Sequence, residues 1–433
     1  MEIGNCQEAF GALDVTSRAM QKAIGEWFTL YYRDTVEDGE DPCQRIAYTL
    51  VNKLVRSVFS EYAVKPDSDF AARVIGALDR QKETALQLTL VGGECYIKPW
   101  YDGKDFDFTL IPRNSMLIFA RDAKGEPTDV GTMEKSTAKG CYYTLLERRT
   151  VDSKGYLTIT NRLFSSYNPD TLGTQVSLKS HPDYQELADS YTFSVPVRSV
   201  GLIRLKTPML GCVDGSMEGV SLYAAAAGLI HAIDRNEYLL NGEFERGQSR
   251  VFASCDLLRD GGLQDNLFVG LDEDPQNVGL TVFSPQLREV SFLNRKQEYL
   301  RNVECVIGLK RGLISDVNQQ ERTATEISAS QSEHALTVLD FQMLWQRALE
   351  KTLNLCGILG RLYGMPGAGA AGFTVDWGNG VLYDEEKLWQ SYLTMVDKGL
   401  LKPEIALGWR FNMAADTQQQ QEIIRQRLMP ERV

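Results

Sequence analysis

Glycines at positions 367, 369 and 372 have the spacing GxGxxG, which lets a loop backbone approach the pyrophosphate of a dinucleotide. Chemistry of that kind requires a strand before the glycines and a helix that begins at them. Here the order is reversed, because a predicted helix precedes Gly367 and a strand-like segment follows Gly372. The segment is therefore predicted to be a flexible loop, and a cofactor enzyme built around it is the disfavoured alternative.

Other residue patterns that carry chemistry are weak in this chain. Neither a GxxxxGK[ST] phosphate loop nor an HExxH motif occurs. His181, His231 and His334 are widely separated, so we expect surface or interface histidines and no metal cluster or Cys–His dyad. The acidic runs 272–274 and 384–386 lie at element boundaries, where solvated acids explain them. The sequence therefore predicts neither an enzyme nor a bound cofactor or metal ion.

Length and composition define the class of protein. The chain has 433 residues, of which 43% are apolar, enough for more than one core. A net charge of −12 argues against a protein that clings to nucleic acid through overall basicity, but not against one that lets DNA slide. Eight widely spaced cysteines without a CxxC pair indicate reduced thiols in a cytosolic chain. With no recognisable signal peptide or membrane span, we expect a soluble chain that is not exported by a standard route.

The apolar pattern divides the first half of the chain into a helical part and a strand-rich part. Residues 11 to about 90 are predicted to be helical, because apolar side chains such as Ile46 and Leu50 recur at helical spacing. Residues 91–206 are predicted to form an antiparallel β region, since alternating segments are separated by glycine-containing turns.

Beyond Pro208 the pattern predicts two long helices that bracket a small β insertion. The segment 207–247 contains a linker and the first helix, 248–285 is the insertion, and 286–308 is the second helix. Neither helix can bury both of its faces in a single chain, so contacts with further copies are expected.

The loop 309–322 concentrates polar residues after the second helix. Lys310, Arg311 and Arg322 flank Asp316 and Asn318 in this loop. Such cations are able to contact phosphates, but ordinary solvated charges also account for them. Spacing alone leaves both interpretations open.

A long helix is predicted to begin at Thr323. Thr323 and Glu326 have the spacing of a capping box, in which each side chain bonds the backbone amide of the other residue. The chain has no further proline until Pro366, so the helix is predicted to continue for close to forty residues. Its first part, 328–334, is polar, which indicates that one end packs while the other is exposed or faces neighbouring copies.

The remainder of the chain is predicted to contain a short strand and a separate helical region. The strand is 373–377, and the helical region is 384–433. Two helices are predicted there, one from Glu385 that ends before Gly399 and a glutamine-rich one from Asp416.

Particular residue groups resemble one known family. These groups are Gly219-Val220-Ser221-Leu222-Tyr223, Gly242-Glu243-Phe244-Glu245, Thr323-Ala324-Thr325-Glu326-Ile327, Gly92-Gly93-Glu94 and Val375-Asp376-Trp377. In type and order they resemble the portal (head–tail connector) proteins of tailed bacteriophages with long, non-contractile tails. The resemblance covers most of the chain, and the group that begins at Thr323 is its most specific part.

The resemblance implies an α+β, portal-type subunit. Its parts would be an α/β wing (1–206, helical to 90 and β-rich from 91), a linker with the first stem helix (207–247), a β clip (248–285), the second stem helix (286–308), a tunnel loop (309–322), a long wing-spanning helix with a return strand (323–383) and a helical crown (384–433). It also assigns Arg250, Phe252 and Arg259 to the clip interface, and the polar residues of the tunnel loop to contact with DNA.

The resemblance further implies a non-enzymatic, dodecameric ring at the capsid vertex of the virion, assembled in the cytoplasm of the host bacterium. Double-stranded DNA would be packaged and ejected through this ring. Its partners would be the terminase, then the head–tail adaptor, and the major capsid and scaffolding proteins, with no membrane. The alternative is another ring-forming virion structural protein, such as a tail or baseplate adaptor, which shares the assembly logic but not the order of stem, clip and tunnel loop.

Overall fold

The architecture of the chain is α+β, as the sequence predicted. The computed structural model describes residues 3–32, 42–138, 140–246, 250–254, 268–271, 281–283, 287–316, 324–369, 371–378, 385–411, 413–415 and 417–429. The chain forms two compact units, Met1–Arg56 with Lys65–Thr374, and Ser57–Val64 with Val375–Val433.

Helices and strands alternate along the chain in long blocks. The α-helices of the described residues are α1 (Gln7–Phe10), α2 (Arg18–Tyr32), α3 (Ile46–Phe59), α4 (Asp69–Asp79), α5 (Lys82–Gly92), α6 (Ala227–Arg246), α7 (Glu289–Ile307), α8 (Ala324–Leu362), α9 (Glu385–Asp397), α10 (Pro403–Arg410) and α11 (Gln418–Leu428). The strands are β1 (Ala63–Pro66), β2 (Glu94–Tyr101), β3 (Phe106–Pro112), β4 (Met116–Arg121), β5 (Pro127–Ala138), β6 (Cys141–Val151), β7 (Leu157–Ser166), β8 (Thr174–Val176), β9 (Ser190–Thr192), β10 (Ile203–Lys206), β11 (Arg250–Ser254), β12 (Phe268–Leu271), β13 (Thr281–Phe283) and β14 (Phe373–Asp376). The predicted change from helix to strand near residue 90 is confirmed, with the short strand β1 as an addition.

The amino-terminal helices form because each has one apolar side. In α3, Ile46, Leu50 and Leu54 follow one another at helical spacing and are buried, as predicted. Helix α4 begins where the Ser68 hydroxyl accepts a hydrogen bond from the Ala71 amide at 3.2 Å. Helices α4 and α5 then pack against strands β3 and β2, respectively.

Two antiparallel sheets make up the predicted β region. One has the strand order β4-β5-β6-β7-β8, with β9 also paired to β7, and the other has the order β10-β2-β3. Asp122 and Asp152 each accept two backbone amides of their own turns, and Gly125 and Gly155 occupy the left-handed region there with φ of 77° and 89°. The turns therefore form where aspartate and glycine permit them.

The segment that leads to α6 is tied to the start of β2. Gly93 and Gly219 approach so closely that a Cβ atom on Gly219 would lie 2.2 Å from the Gly93 carbonyl oxygen. The Gly219 amide donates to the Glu94 carboxylate at 2.7 Å, and the buried Arg204 guanidinium donates to the same carboxylate. Burial alone would raise the pKa of Glu94, but the charge and hydrogen bond of Arg204 lower it to about 2. Two of the residue groups that carry the resemblance thus contact each other.

The helices α6 and α7 pack against each other and bracket a three-stranded sheet. The Asn236 side chain on α6 donates to the Phe292 carbonyl on α7 at 3.1 Å. The sheet has the order β12-β11-β13, with β11 parallel to β12 and antiparallel to β13. This helix, sheet and helix order agrees with the pattern in the sequence.

Helix α8 has 39 residues, which confirms the predicted length. Val338, Phe341 and Trp345 are completely buried at intervals of three and four, and the helix packs against α4 and β10. Past its end, the Gly372 amide donates to the Asp67 carboxylate at 2.8 Å before β14 begins. The described part of the GxGxxG segment is therefore a loop between a helix and a strand, as predicted.

The described residues of the second unit form the short helices α9, α10 and α11, whereas the sequence predicted two helices there. The ring of Tyr392 on α9 meets that of Trp409 on α10 edge to face, with centroids 5.0 Å apart. Thr417 and Gln420 form a capping box at the start of α11. Helix α10 lies outside the prediction because Pro403 is typical of a helix break, but here it occupies the first turn, where its missing N–H costs nothing.

Candidate functional site: a cationic loop on a buried carboxylate

The candidate site begins where helix α7 ends. Gly308 adopts the left-handed conformation, with φ of 75°, and its amide donates to the Cys305 carbonyl at 3.2 Å. The Leu309 amide donates to the Glu304 carbonyl at 2.8 Å, and the Leu309 side chain is buried. This pair of hydrogen bonds is a Schellman motif, in which glycine supplies the positive φ that other residues disfavour. The chain therefore leaves the helix in a fixed direction.

The Glu304 side chain holds the following turn. Its carboxylate is completely buried and accepts four hydrogen bonds. Oε1 accepts the amides of Ile314 at 2.6 Å and Ser315 at 2.9 Å, and Oε2 accepts the Gly312 amide at 3.1 Å and the Ser315 hydroxyl at 2.7 Å. No lysine or arginine of the described residues forms an ion pair with it. Hydrogen bonds therefore replace the water that this carboxylate loses on burial.

Three further side chains hold the same loop from different helices. The Lys53 ammonium on α3 donates to the Leu313 carbonyl. The Gln297 side-chain oxygen on α7 accepts the Asp316 amide at 2.8 Å, and the Thr337 hydroxyl on α8 donates to the Gly308 carbonyl at 2.9 Å. The backbone from residue 308 to residue 316 is thus bonded to α3, α7 and α8.

The residues predicted to contact DNA are only partly within the described chain. Lys310, Arg311 and Asp316 are exposed on the loop, and the first two are adjacent at its start. Lys310 has no ion-pair partner among the described residues. Asn318 and Arg322 lie outside the described residues, so the structure locates only the first three.

The predicted cap of the long helix is described only at its helical end. Thr323 lies outside the described residues, and α8 begins at Ala324, one position later. Glu326 lies in the first turn of α8, although its side chain is outside the description. The predicted start of the helix is confirmed, and the capping box stays a prediction.

The histidine prediction was wrong for two of the three positions. His181 and His334 are buried, whereas His231 is exposed and lies 3.0 Å from the Glu26 carboxylate. His181 is accommodated because its ring stacks on Tyr184, with centroids 4.7 Å apart. Burial, and then the nearby Lys310 charge, lower the pKa of His334 to about 4, so this imidazole is neutral at neutral pH.

Some cations on the helix pair α6 and α7 are paired with acids. The Arg288 guanidinium forms two hydrogen bonds, of 2.9 and 2.8 Å, to the Glu243 carboxylate. The Lys296 ammonium lies 3.0 Å from the Glu237 carboxylate. Lys310, just past the end of α7, has no such acidic partner among the described residues.

The predicted interface residues of the β insertion are described only by their backbone. Arg250 and Phe252 lie two positions apart on β11, the central strand of the three-stranded sheet. Their side chains are outside the description, and Arg259 lies outside the described residues. Their assigned role stays a prediction.

Metal and membrane features are absent from the part of the chain that the structure describes. It contains no group of three or more histidine, cysteine or acidic residues arranged to hold a metal ion. None of its helices is both long and apolar enough to cross a bilayer.

Glu304 is a residue of the candidate site that sequence reasoning missed. A signal for it exists in the sequence, because Glu304 lies between Val303 and Ile307 on the side of α7 that turns inward, one turn before Gly308. An acid on the apolar face of a helix requires a partner. The loop that supplies its partners follows only eight to eleven residues later.

Comparisons with known proteins show a likeness of fold. No family model matches the sequence, and no curated protein matches it. Among solved structures, a chain from the "Neck of native GTA particle computed with C12 symmetry" superposes with a TM-score of 0.50 at 12% sequence identity. The match covers 93% of this chain and 97% of that chain. At this identity the likeness shows a shared fold, which agrees with the portal-like α+β architecture expected from the sequence.

Proposed function

We propose that this chain is a portal subunit, the component of a ring that joins capsid and tail in a particle of the long-tailed, non-contractile phage type. One observation carries the proposal: the likeness of fold to a chain in a particle neck extends over 93% of this chain and 97% of the other. Because the match extends over nearly all of both chains, it does not come from a single structural module that many unrelated proteins share. The order of helix, β insertion, helix, loop and long helix supports the same assignment.

Twelve copies of the subunit assemble into a closed ring. The pair α6 and α7 supports assembly, because Tyr238, Leu239, Val290 and Leu293 are 48–64% exposed. Apolar side chains exposed side by side on long helices are typical of surfaces that a partner covers. A head-to-tail contact between identical chains gives a ring when the rotation closes, and the matching particle neck has C12 symmetry.

The ring is a passive conduit for double-stranded DNA, and its subunit is not an enzyme. Lys310 and Arg311 supply brief phosphate contacts, while a net charge of −12 prevents the tight binding that would stall a moving duplex. The sheet of the β insertion, with Arg250, Phe252 and Arg259 as its interface residues, docks the terminase and afterwards the head–tail adaptor. The major capsid and scaffolding proteins surround the ring in the virion, after assembly in the host cytoplasm.

The mass and symmetry of the purified particle test this proposal. Twelve copies of a 48.6 kDa chain give a particle of about 580 kDa, measurable by light scattering. Negative-stain images are expected to show a mushroom-shaped ring with an open axis. A monomer or dimer at every concentration and salt would contradict the proposal, and a tube or flat disc would favour a tail or baseplate adaptor instead.

A further inference from the structure

The Glu304 carboxylate is completely buried, yet its partners are three backbone amides and one hydroxyl, all neutral. We infer that Glu304 is the positioning residue of the loop, and that its side chain holds Lys310 and Arg311 in one place before any DNA arrives. The consequence for DNA rests on the proposed function, whereas the positioning itself does not.

The two cations lie in a span of backbone whose ends are both bonded to Glu304. The Leu309 amide, just before the span, donates to the Glu304 backbone carbonyl at 2.8 Å. The Gly312 amide, just after it, donates to the Glu304 carboxylate at 3.1 Å. Since both bonds lead to one residue at the end of a helix, the position of Lys310 and Arg311 is fixed relative to α7.

The turn around the carboxylate is an anion site that the chain fills with its own side chain. Successive backbone amides that converge on one point form a concave site for a negative group. Here the amides of Gly312, Ile314 and Ser315 converge on Glu304. Hydrogen bonds to an ionised acceptor are stronger than neutral ones, so the charge of Glu304 contributes more than its shape.

The remaining contacts of the loop cannot replace this carboxylate. Lys53, Gln297 and Thr337 each make one bond, to residues 313, 316 and 308, respectively. None of these bonds reaches the amides of Gly312, Ile314 or Ser315. Without Glu304 the amides of Ile314 and Ser315 lose their acceptor, and the Gly312 amide keeps only its bond to the Ser315 hydroxyl oxygen at 3.2 Å. The span that carries the cations is then bonded to residue 304 at one end only.

Hydrogen exchange of the full chain, measured by mass spectrometry over residues 309–316, tests the inference. We expect Glu304→Ala to accelerate exchange in this segment by about tenfold to a hundredfold, the range that hydrogen bonds to a charged acceptor are worth. Exchange in the sheet β4-β5-β6-β7-β8 is expected to stay unchanged. The matched control is Glu298→Ala, which removes an exposed acid of the same helix and its ion pair with Arg301 and is expected to leave the loop unchanged.

Chemical rescue separates a charged acceptor from simple packing. Glu304→Ala removes a CH2–COO⁻ group, so added acetate is expected to restore slow exchange, at constant ionic strength, whereas neutral acetamide of the same size is not. Equal rescue by acetamide, or fast exchange of the segment in the natural chain, would overturn the inference. If Glu304→Ala fails to fold, Ser315→Ala removes the hydroxyl that donates to Glu304 and accepts from the Gly312 amide at 3.2 Å, and unchanged exchange in that variant would count equally against the inference.

The outcome for the ring is read separately, because Glu304→Ala is expected to assemble with the same mass as the natural chain. DNA retention by that ring is expected to fall, as is also expected when Lys310 and Arg311 are both replaced by alanine. If Glu304→Ala shows fast exchange in the loop but full DNA retention, Glu304 remains a positioning residue, but the loop has no part in the proposed function. If the natural chain shows slow exchange in the loop but forms no ring, the positioning role of Glu304 stands and the proposed function fails.

Discussion

The contact between β2 and the segment leading to α6 depends on one ionised side chain, Glu94. Replacing it with glutamine keeps the shape but removes the charge that faces Arg204, which is itself buried. The Gly219 amide and the Tyr96 hydroxyl, which donate to Glu94 at 2.7 and 2.6 Å, also lose an ionised acceptor. We therefore expect Glu94→Gln to destabilise the whole fold.

The magnitude follows from the pKa of the Glu94 carboxyl. It falls from the ordinary 4.5 to about 2, because Arg204 outweighs the effect of burial. At about 1.4 kcal/mol for each pH unit, the ionised carboxylate contributes about 3 kcal/mol to the free energy of unfolding. Because the folded-state pKa is the lower one, this contribution is complete above pH 4.5 and is lost as the pH falls toward 2.

Urea denaturation at a fixed protein concentration measures the effect. Glu94→Gln is expected to lower the free energy of unfolding by about 3 kcal/mol at neutral pH, and the difference from the natural chain is expected to shrink below pH 4.5. The control is Glu126→Gln, because Glu126 lies 3.5 Å from the same Arg204 but is half exposed, so we expect a loss below about 1 kcal/mol. A difference that is independent of pH, or equal losses in both variants, would refute the reasoning.

Two further predictions concern the loop cations and the glycine contact. Replacing Lys310 and Arg311 by alanine is expected to leave the ring mass unchanged but to reduce DNA packaging or retention, whereas Arg288→Ala, on a cation already paired with an acid, is expected to change neither. Unchanged packaging in the double variant would contradict the assigned role. Gly219→Ala is expected to lower the melting temperature, because its Cβ atom would meet backbone at 2.2 Å, whereas Gly228→Ala in open space on α6 is expected to keep or raise it. Equal melting temperatures of Gly219→Ala and the natural chain would show that the backbone at this contact moves to accommodate the added Cβ atom.

The helices and strands were predictable wherever the residues of one segment are sufficient to determine its structure. The stripe of Ile46, Leu50 and Leu54 has helical period because these residues face one core. The length of α8 follows from the absence of proline up to Pro366. Helix α10 escaped prediction because the meaning of Pro403 depends on its position within the helix, and that position is set by packing against α9 and α11.

The site was less predictable, because its contacts form only in the tertiary structure. Gly219 was visible as part of a motif, but its bond to Glu94 joins residues 125 positions apart, and a single sequence gives no measure of such a pairing. Glu304 was not singled out in the sequence, because only the return of the loop makes it a buried acceptor. Lys310 and Arg311 were identified by type, while the bonds that position them belong to other residues.

Glu94 and Glu304 are both buried carboxylates held by hydrogen bonds, but their removal has different consequences. Each is a completely buried carboxylate that accepts a hydrogen bond from a glycine amide, that of Gly219 or Gly312. Removing Glu94 leaves a buried guanidinium without its main counter-charge, which lowers the stability of the whole fold. Removing Glu304 leaves only neutral donors of a surface loop, which water can reach once the turn opens. Loss of Glu94 should therefore lower global stability, whereas loss of Glu304 should loosen one loop in an otherwise intact subunit.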